Sequence, residues 1–133
     1  MNVLIDTSVW SMALRRQRLT DAEQKIVDAL KELIRDARVA IIGPIRQELL
    51  SGVREQEQFE ELKLKLSVFK DLQILGEDYI EAARCYNICR EKGIQGTHID
   101  FLICSIAVRM SLPIFTLDKD FKSYAKHLPL KLI

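Results

Sequence analysis

Very little in this chain interrupts it. Three prolines and five glycines in 133 residues leave no linker, repeat or low-complexity tract. We therefore expect a single domain over residues 1–133, large enough to bury about two thirds of its unfolded surface. Cysteine is scarce and odd in number, at three; without secretory features this fits a reducing cytoplasm rather than a disulfide framework. Only two histidines accompany them, and the scatter of both residue types argues against a structural zinc site. The N-terminus has no basic segment followed by an apolar stretch and a cleavage site, so no signal peptide is expected. No apolar run approaches the length that spans a bilayer. These absences describe a cytoplasmic protein with no membrane partner. Excess charge is missing too: a net charge of +1 neither favours nor excludes a polyanionic partner, and local distribution has to decide.

What is present is the composition of a globular protein, 48 % hydrophobic and 29 % charged. Val3, Leu4 and Ile5 make a short apolar run that suits a strand covered on both faces. Val9, Trp10, Ala13 and Leu14 then give a short helical stripe, followed by Arg15, Arg16 and Arg18. Thr20 and Glu23 have capping-box spacing before a long amphipathic helix. Residues 39–42 read as a second buried strand, and Pro44 suits the first turn of the next helix. Further helices are expected over about 55–66, 77–92, 97–110 and 121–127, and strands over 68–75, 113–117 and 130–133. Strands alternating with helices imply right-handed crossovers and a mainly parallel sheet. The expected fold class is α/β: a single three-layer α/β/α sandwich with a sheet of four to five strands.

Four carboxylates punctuate this pattern. Asp6 stands where the first strand stops, the edge at which open α/β sheets place their ligands, although aspartate is also a preferred helix N-cap. Glu48, in RQELLSGVR, borders the apolar stripe of Ile45, Leu49 and Val53, with Gly52 leaving room beside it; a solvated helix face is the plainer account. Asp100, in THIDFLICSIAVRM, lies in the first turn of the most apolar helix, with Cys104 and Ala107 as small neighbours. Thr97 and Asp100 also have capping-box spacing. Asp118 ends a strand in PIFTLDKDF as Asp6 ends the first, and Asp120 follows where it would cap a short helix or close a turn. Parallel strands bring Asp6 and Asp118 to one sheet edge, and Glu48 and Asp100 come from helix starts at that same edge. Two ionised carboxylates about 4 Å apart repel by around 4 kcal/mol at an effective dielectric of 20. Several such pairs would consume much of a total stability of ~5–15 kcal/mol. Protonation or a divalent cation has to relieve this, and an all-oxygen cluster suits Mg²⁺ or Mn²⁺.

The ordered set LIDTSVW, ELLSGVR, IDFLICSIA and IFTLDKDF resembles the PIN-domain ribonucleases, and within them the VapC toxins of toxin–antitoxin pairs, over nearly the whole chain. The resemblance implies Mg²⁺-dependent hydrolysis of RNA phosphodiesters, a small cognate antitoxin and a homodimer. Carried over by position, Asp6, Glu48, Asp100 and Asp118 match the family's acidic metal-binding set. Asp6 and Asp100 are the first choice for direct ligands; Glu48 and Asp118 would bind a second ion or orient water. Thr7 and Ser8 match its small hydroxyl residues after the first aspartate, and Thr116 its pre-aspartate threonine; with Asp120 they are outer candidates that orient carboxylates.

Cations for an RNA backbone are available in Lys119, Lys122 and Lys126, which fall within about 60° on one helical face, and in Arg15, Arg16 and Arg18; a solvated surface is the alternative for both groups. His98 is a possible proton carrier near Asp100. Trp10, Cys85 and Cys89 read as core. A housekeeping PIN-domain RNA-processing nuclease is the main competing function, and a PIN-fold binding module without catalysis is disfavoured by the four filled acidic positions. A phospho-accepting receiver domain fits poorly, because Asp6 is followed by Thr7 and Ser8 and the second strand ends in Gly43-Pro44. A haloacid-dehalogenase-like phosphatase would need aspartate at position 8, which is serine.

Overall fold

Val3, Leu4 and Ile5 have no solvent exposure at all, and that burial on both faces places them at the centre of the sheet. The computed structural model describes residues 1–15 and 17–133. Its elements are β1 (Val3–Ile5), α1 (Thr7–Ala13), α2 (Asp21–Arg35), β2 (Val39–Ala40), α3 (Gly43–Ser51), α4 (Gln56–Leu66), α5 (Gly76–Glu91), α6 (His98–Met110), β3 (Ile114–Phe115) and α7 (Asp120–Ala125). The strands are parallel in the order β2-β1-β3, with Leu4 opposite Ala40 on one side and Ile114 on the other. From β1 the chain moves to one neighbour and from β2 back across to the other. Right-handed crossovers therefore put α1–α2 and α5–α6 on opposite faces. Among the described residues no helix is long and apolar enough to cross a membrane.

The sheet has three strands rather than the four to five expected. The segment 68–75 touches it through a single bridge, Ile41 to Asp71, and the segment 130–133 through another, Ile114 to Leu132. Arg46 accounts for the first shortfall. Its guanidinium takes the carbonyls of Leu66 and Phe69 and the carboxylate of Asp71, at 2.8, 2.5 and 3.0 Å. Of the two carbonyls only that of Phe69 lies in 68–75, and it is satisfied without a strand partner. The helix starts follow the capping chemistry. Thr20 Oγ1 accepts from Glu23 N and Glu23 Oε1 from Thr20 N, at 3.2 and 3.0 Å. Gly93, just past α5, has φ +74°, a left-handed turn that glycine adopts without a Cβ penalty.

Seven consecutive residues of α6, Phe101–Ala107, are buried. Its polar exception, Arg109, grips Asp78 of α5 through two bonds, Nε to Oδ1 at 2.6 Å and Nη2 to Oδ2 at 2.9 Å. Asp78 is 1 % exposed and also accepts from Leu75 N at 2.8 Å, so one carboxylate both caps α5 and ties it to α6. The cysteines are free thiols; Cys89 and Cys104 are fully buried, and burial pushes both thiols up. Trp10 is 3 % exposed and packs edge-on to Phe69, ring centroids 5.3 Å apart. It belongs to the core.

Candidate metal centre

β1 is too apolar to continue into solvent, and Asp6 is the first polar residue after it. It occupies the N-cap position of α1, but its side chain makes no cap bond. Instead Oδ2 accepts from two hydroxyls, Ser8 Oγ and Thr116 Oγ1, each at 2.8 Å. Those hydroxyls are oriented by the backbone: Ser8 Oγ accepts from Leu117 N and Thr116 Oγ1 from Asp118 N, both at 3.0 Å. With each hydroxyl proton committed to Asp6, the 3.4 Å separation of Ser8 and Thr116 is a contact and not a further bond. Strand end β1 is thereby clasped to strand end β3.

Asp100 is the third residue of α6. Thr97 caps the helix by accepting from Asp100 N at 3.1 Å. The carboxylate does not complete the capping box; its Oδ2 accepts from the hydroxyl of Tyr124 at 2.7 Å. Asp118 lies one residue before the N-cap of α7, and its Oδ1 accepts from Asp120 N at 2.9 Å. Asp120, which the sequence offers as the cap of this helix, is instead its first residue, and its side chain makes no hydrogen bond to a described residue. Oxygens of Asp100, Asp118 and Asp120 lie within 4.8 Å of one another. Asp6 and Glu48 are outside this trio yet near enough to act on it. Burial raises the Asp100 carboxyl above the ordinary range, the hydroxyls of Tyr124 and Thr97 oppose the rise, and the charges of Asp118 and Asp6 add to it. The Glu48 carboxyl is raised first by partial burial and then by Asp6 and Asp100.

Asp6, Asp100 and Asp118 share a design. Each has one oxygen engaged by protein donors, and the other receives no hydrogen bond from any described residue. Thr7 Oγ1 is buried and has no partner at hydrogen-bond distance, although it lies close enough to Glu48 to hold that carboxyl down slightly. Unsatisfied carboxylate oxygens, crowded and partly buried, constitute a hard-donor set that fits Mg²⁺ or Mn²⁺. Zinc would want nitrogen or sulfur, which the cluster lacks.

Among the cation candidates, Lys119, Lys122 and Lys126 are exposed and form no ion pair with a described residue. Arg15 is engaged at 2.7 Å by Glu23, and Arg16 lies outside the described residues. His98 stacks on Tyr86, centroids 5.2 Å apart and planes 18° from parallel. Tyr124 is the participant that sequence reasoning misses. The available signal is a tyrosine three positions after Phe121, on the same face of a short helix, whose buried hydroxyl would need a partner.

Residues 3–127 match the PIN domain family. Among curated proteins none matches the chain. Among solved structures, FitAcB from Neisseria gonorrhoeae superposes with a TM-score of 0.78 at 21 % identity, over 98 % of this chain and 96 % of that one. VapBC2 from Rickettsia felis, solved bound to a DNA fragment from its promoter, gives 0.78 at 19 %, over 100 % and 98 %. VapBC-5 from Mycobacterium tuberculosis, a member of a family of toxin–antitoxin systems, gives 0.69 at 21 %, over 99 % and 97 %. At these identities the likeness is one of fold.

Proposed function

The chain belongs to the PIN domain family, and from that premise we propose that it is a Mg²⁺-dependent endoribonuclease acting as the toxin of a toxin–antitoxin pair. The observation that carries the nuclease reading is the acidic cluster, in which Asp100, Asp118 and Asp120 converge within 4.8 Å beside Asp6 and Glu48. The toxin reading is supported by the fold likeness to FitAcB and VapBC proteins.

Asp6, Asp100, Asp118 and Asp120 would hold the cation, with Glu48 at its margin. The ion would supply a Lewis acid for the scissile phosphate and acidify a water. Ser8 and Thr116 fix Asp6 by donating to one of its oxygens, which leaves the second for the cation or for water. Asp118 is fixed likewise by the Asp120 amide. Glu48, its carboxyl raised first by partial burial and then by Asp6 and Asp100, is placed to exchange a proton at this edge. The lysines of α7 and its flanks attract the RNA backbone, which the carboxylates alone would repel. Replacing Lys119, Lys122 and Lys126 together by alanine should weaken RNA binding. It should also lower the slope of log affinity against log salt by up to about 2, at roughly 0.7 for each phosphate no longer neutralised. An unchanged slope would return all three to solvated surface.

The function is tested in two settings. Purified protein should cut RNA with Mg²⁺ and stop when EDTA is added. Expression of the chain alone should arrest growth, and co-expression of an adjacent small gene should restore it. The inhibitor faces a pocket rich in carboxylates, so an arginine or lysine placed among them would take the cation's position. A homodimer is part of the proposal and would show as a doubled mass in light scattering. Cleavage in vitro without any growth defect would replace the toxin with a housekeeping nuclease; no cleavage of any RNA would end both readings.

A further inference from the structure

Tyr124 has no solvent exposure. Its ring is held by Phe101 and Phe121, with centroids 4.8 and 5.2 Å away, and its hydroxyl faces Asp100 as a donor. Among the described residues that hydroxyl makes one hydrogen bond, to Asp100 Oδ2. Gly96, two residues before α6, bears on the same group. A Cβ at this position would collide with Tyr124 Oη and lie 2.8 Å from Tyr124 Cζ and 2.7 Å from Phe101 Cε2. Gly96 does not have a positive φ, so space and not backbone conformation demands glycine here.

We propose that Tyr124 is a positioning residue of the cation site: its hydroxyl, seated in the notch left by Gly96, occupies one oxygen of Asp100 and holds the carboxylate at its spacing from Asp118 and Asp120. The inference rests on the cation-site reading above. The three acids are oriented by different donors. Asp6 has two hydroxyls and Asp118 a backbone amide, whereas Asp100, on a separate helix, has among the described residues the Tyr124 hydroxyl as its main donor, with the Thr97 hydroxyl a weaker influence on the carboxylate. Without that donor the group would swing free, and the site would have to order it on every binding event. Loss of an orienting partner of this kind costs about 10–100-fold in metal affinity.

The test reads Mn²⁺ affinity directly, by titration of the metal-free protein followed through free-ion electron paramagnetic resonance, with melting temperature measured on the same samples. Wild type should bind Mn²⁺. Tyr124→Phe keeps the ring contacts, so its melting temperature should stay close to wild type while its affinity falls about 10–100-fold. Gly96→Ala displaces the hydroxyl without deleting it and should weaken binding in the wild-type background but add little in the Tyr124→Phe background. Equal Mn²⁺ affinity in wild type and Tyr124→Phe would overturn the inference and leave the cation site standing. Absence of Mn²⁺ binding by wild type would overturn both. If Tyr124→Phe does not fold, Gly96→Ala decides: weakened affinity supports the role and unchanged affinity refutes it.

Discussion

Asp100→Asn is expected to cut RNA at least about a hundredfold more slowly than wild type, a larger loss than the roughly 10–100-fold attached to a partner that merely orients a ligand. The amide is isosteric, and its oxygen can still accept from Tyr124, so the local packing of α6 against α7 should persist. What disappears is the charge. Burial and the neighbouring Asp118 and Asp6 raise the Asp100 carboxyl in the folded protein. A carboxyl raised in this way favours the folded state while it is protonated, and that contribution is lost as the pH rises through the folded-state value. Metal-free wild type should therefore lose stability across that window, whereas metal-free Asp100→Asn should melt higher than wild type at neutral pH. Mg²⁺ should raise the melting temperature of wild type more than that of the variant, because an ion that binds only the folded state stabilises it by mass action. Heat denaturation with and without Mg²⁺, beside a cleavage assay, checks the whole set. A variant that fails to fold, or cuts RNA like wild type, would remove Asp100 from the metal site.

The largest loss of stability is expected far from the chemistry, at Asp78. Asp78→Ala deletes both bonds from Arg109 and the cap on Leu75 N. Hydrogen bonds to charged groups contribute about 1.5–3 kcal/mol each, and Arg109 retains some access to water, so a loss of at least ~2 kcal/mol is expected. The Arg109 guanidinium holds the Asp78 carboxyl below its ordinary value of 3.8, and the Leu75 amide adds to the effect against burial. A depressed carboxyl stabilises the fold above the unfolded-chain value, and this is lost as the pH falls through the folded-state value. Wild type should lose this contribution below about pH 4, and Asp78→Ala should show a shallower acid limb. Urea unfolding at neutral and acid pH measures both. Equal midpoints for the two proteins would show that the pair contributes nothing.

The helices are legible in the sequence because their signals are local. Thr20 and Glu23 announce α2, Pro44 the first turn of α3, and Gly93 the end of α5, and each boundary falls within a residue or two of expectation. Asp6 and Asp118 are legible as strand-end carboxylates for the same reason: an apolar run stops and an acid follows. The pairings made across distance are not legible. Asp78 and Arg109 are 31 residues apart and Asp100 and Tyr124 are 24 apart, and each residue sits on its helix in a way that local periodicity reads as ordinary. Asp120 shows the limit of reading by position. Its place in the sequence leaves open whether it joins the site or closes a turn, and the geometry sets its carboxylate beside those of Asp100 and Asp118. The short sheet has the same origin. Residues 68–75 look strand-like, but a side chain from α3, Arg46, takes the Phe69 carbonyl and the Asp71 carboxylate at the start of that segment.

The position of β1 carries a consequence for how the protein comes into being. Of the three strands, the one that leaves the ribosome first lies in the middle, and its two neighbours pair with it from residues 39 and 114. Val3, Leu4 and Ile5 therefore lack a complete home until residue 114 has been made, and until then they are an apolar segment for which chaperones and neighbouring chains compete. The same delay applies to chemistry. Asp6 is synthesised before the other acids of the site, but Thr116 follows 110 residues later, with Asp118, Asp120 and Tyr124 behind it, and the hydroxyl clasp between the strand ends cannot close before then. A ribosome-bound chain halted anywhere before residue 114 lacks Asp118 and Asp120 as well as the Thr116 and Tyr124 hydroxyls that help to align Asp6 and Asp100, so under the proposed function it should be harmless to the RNA that surrounds it.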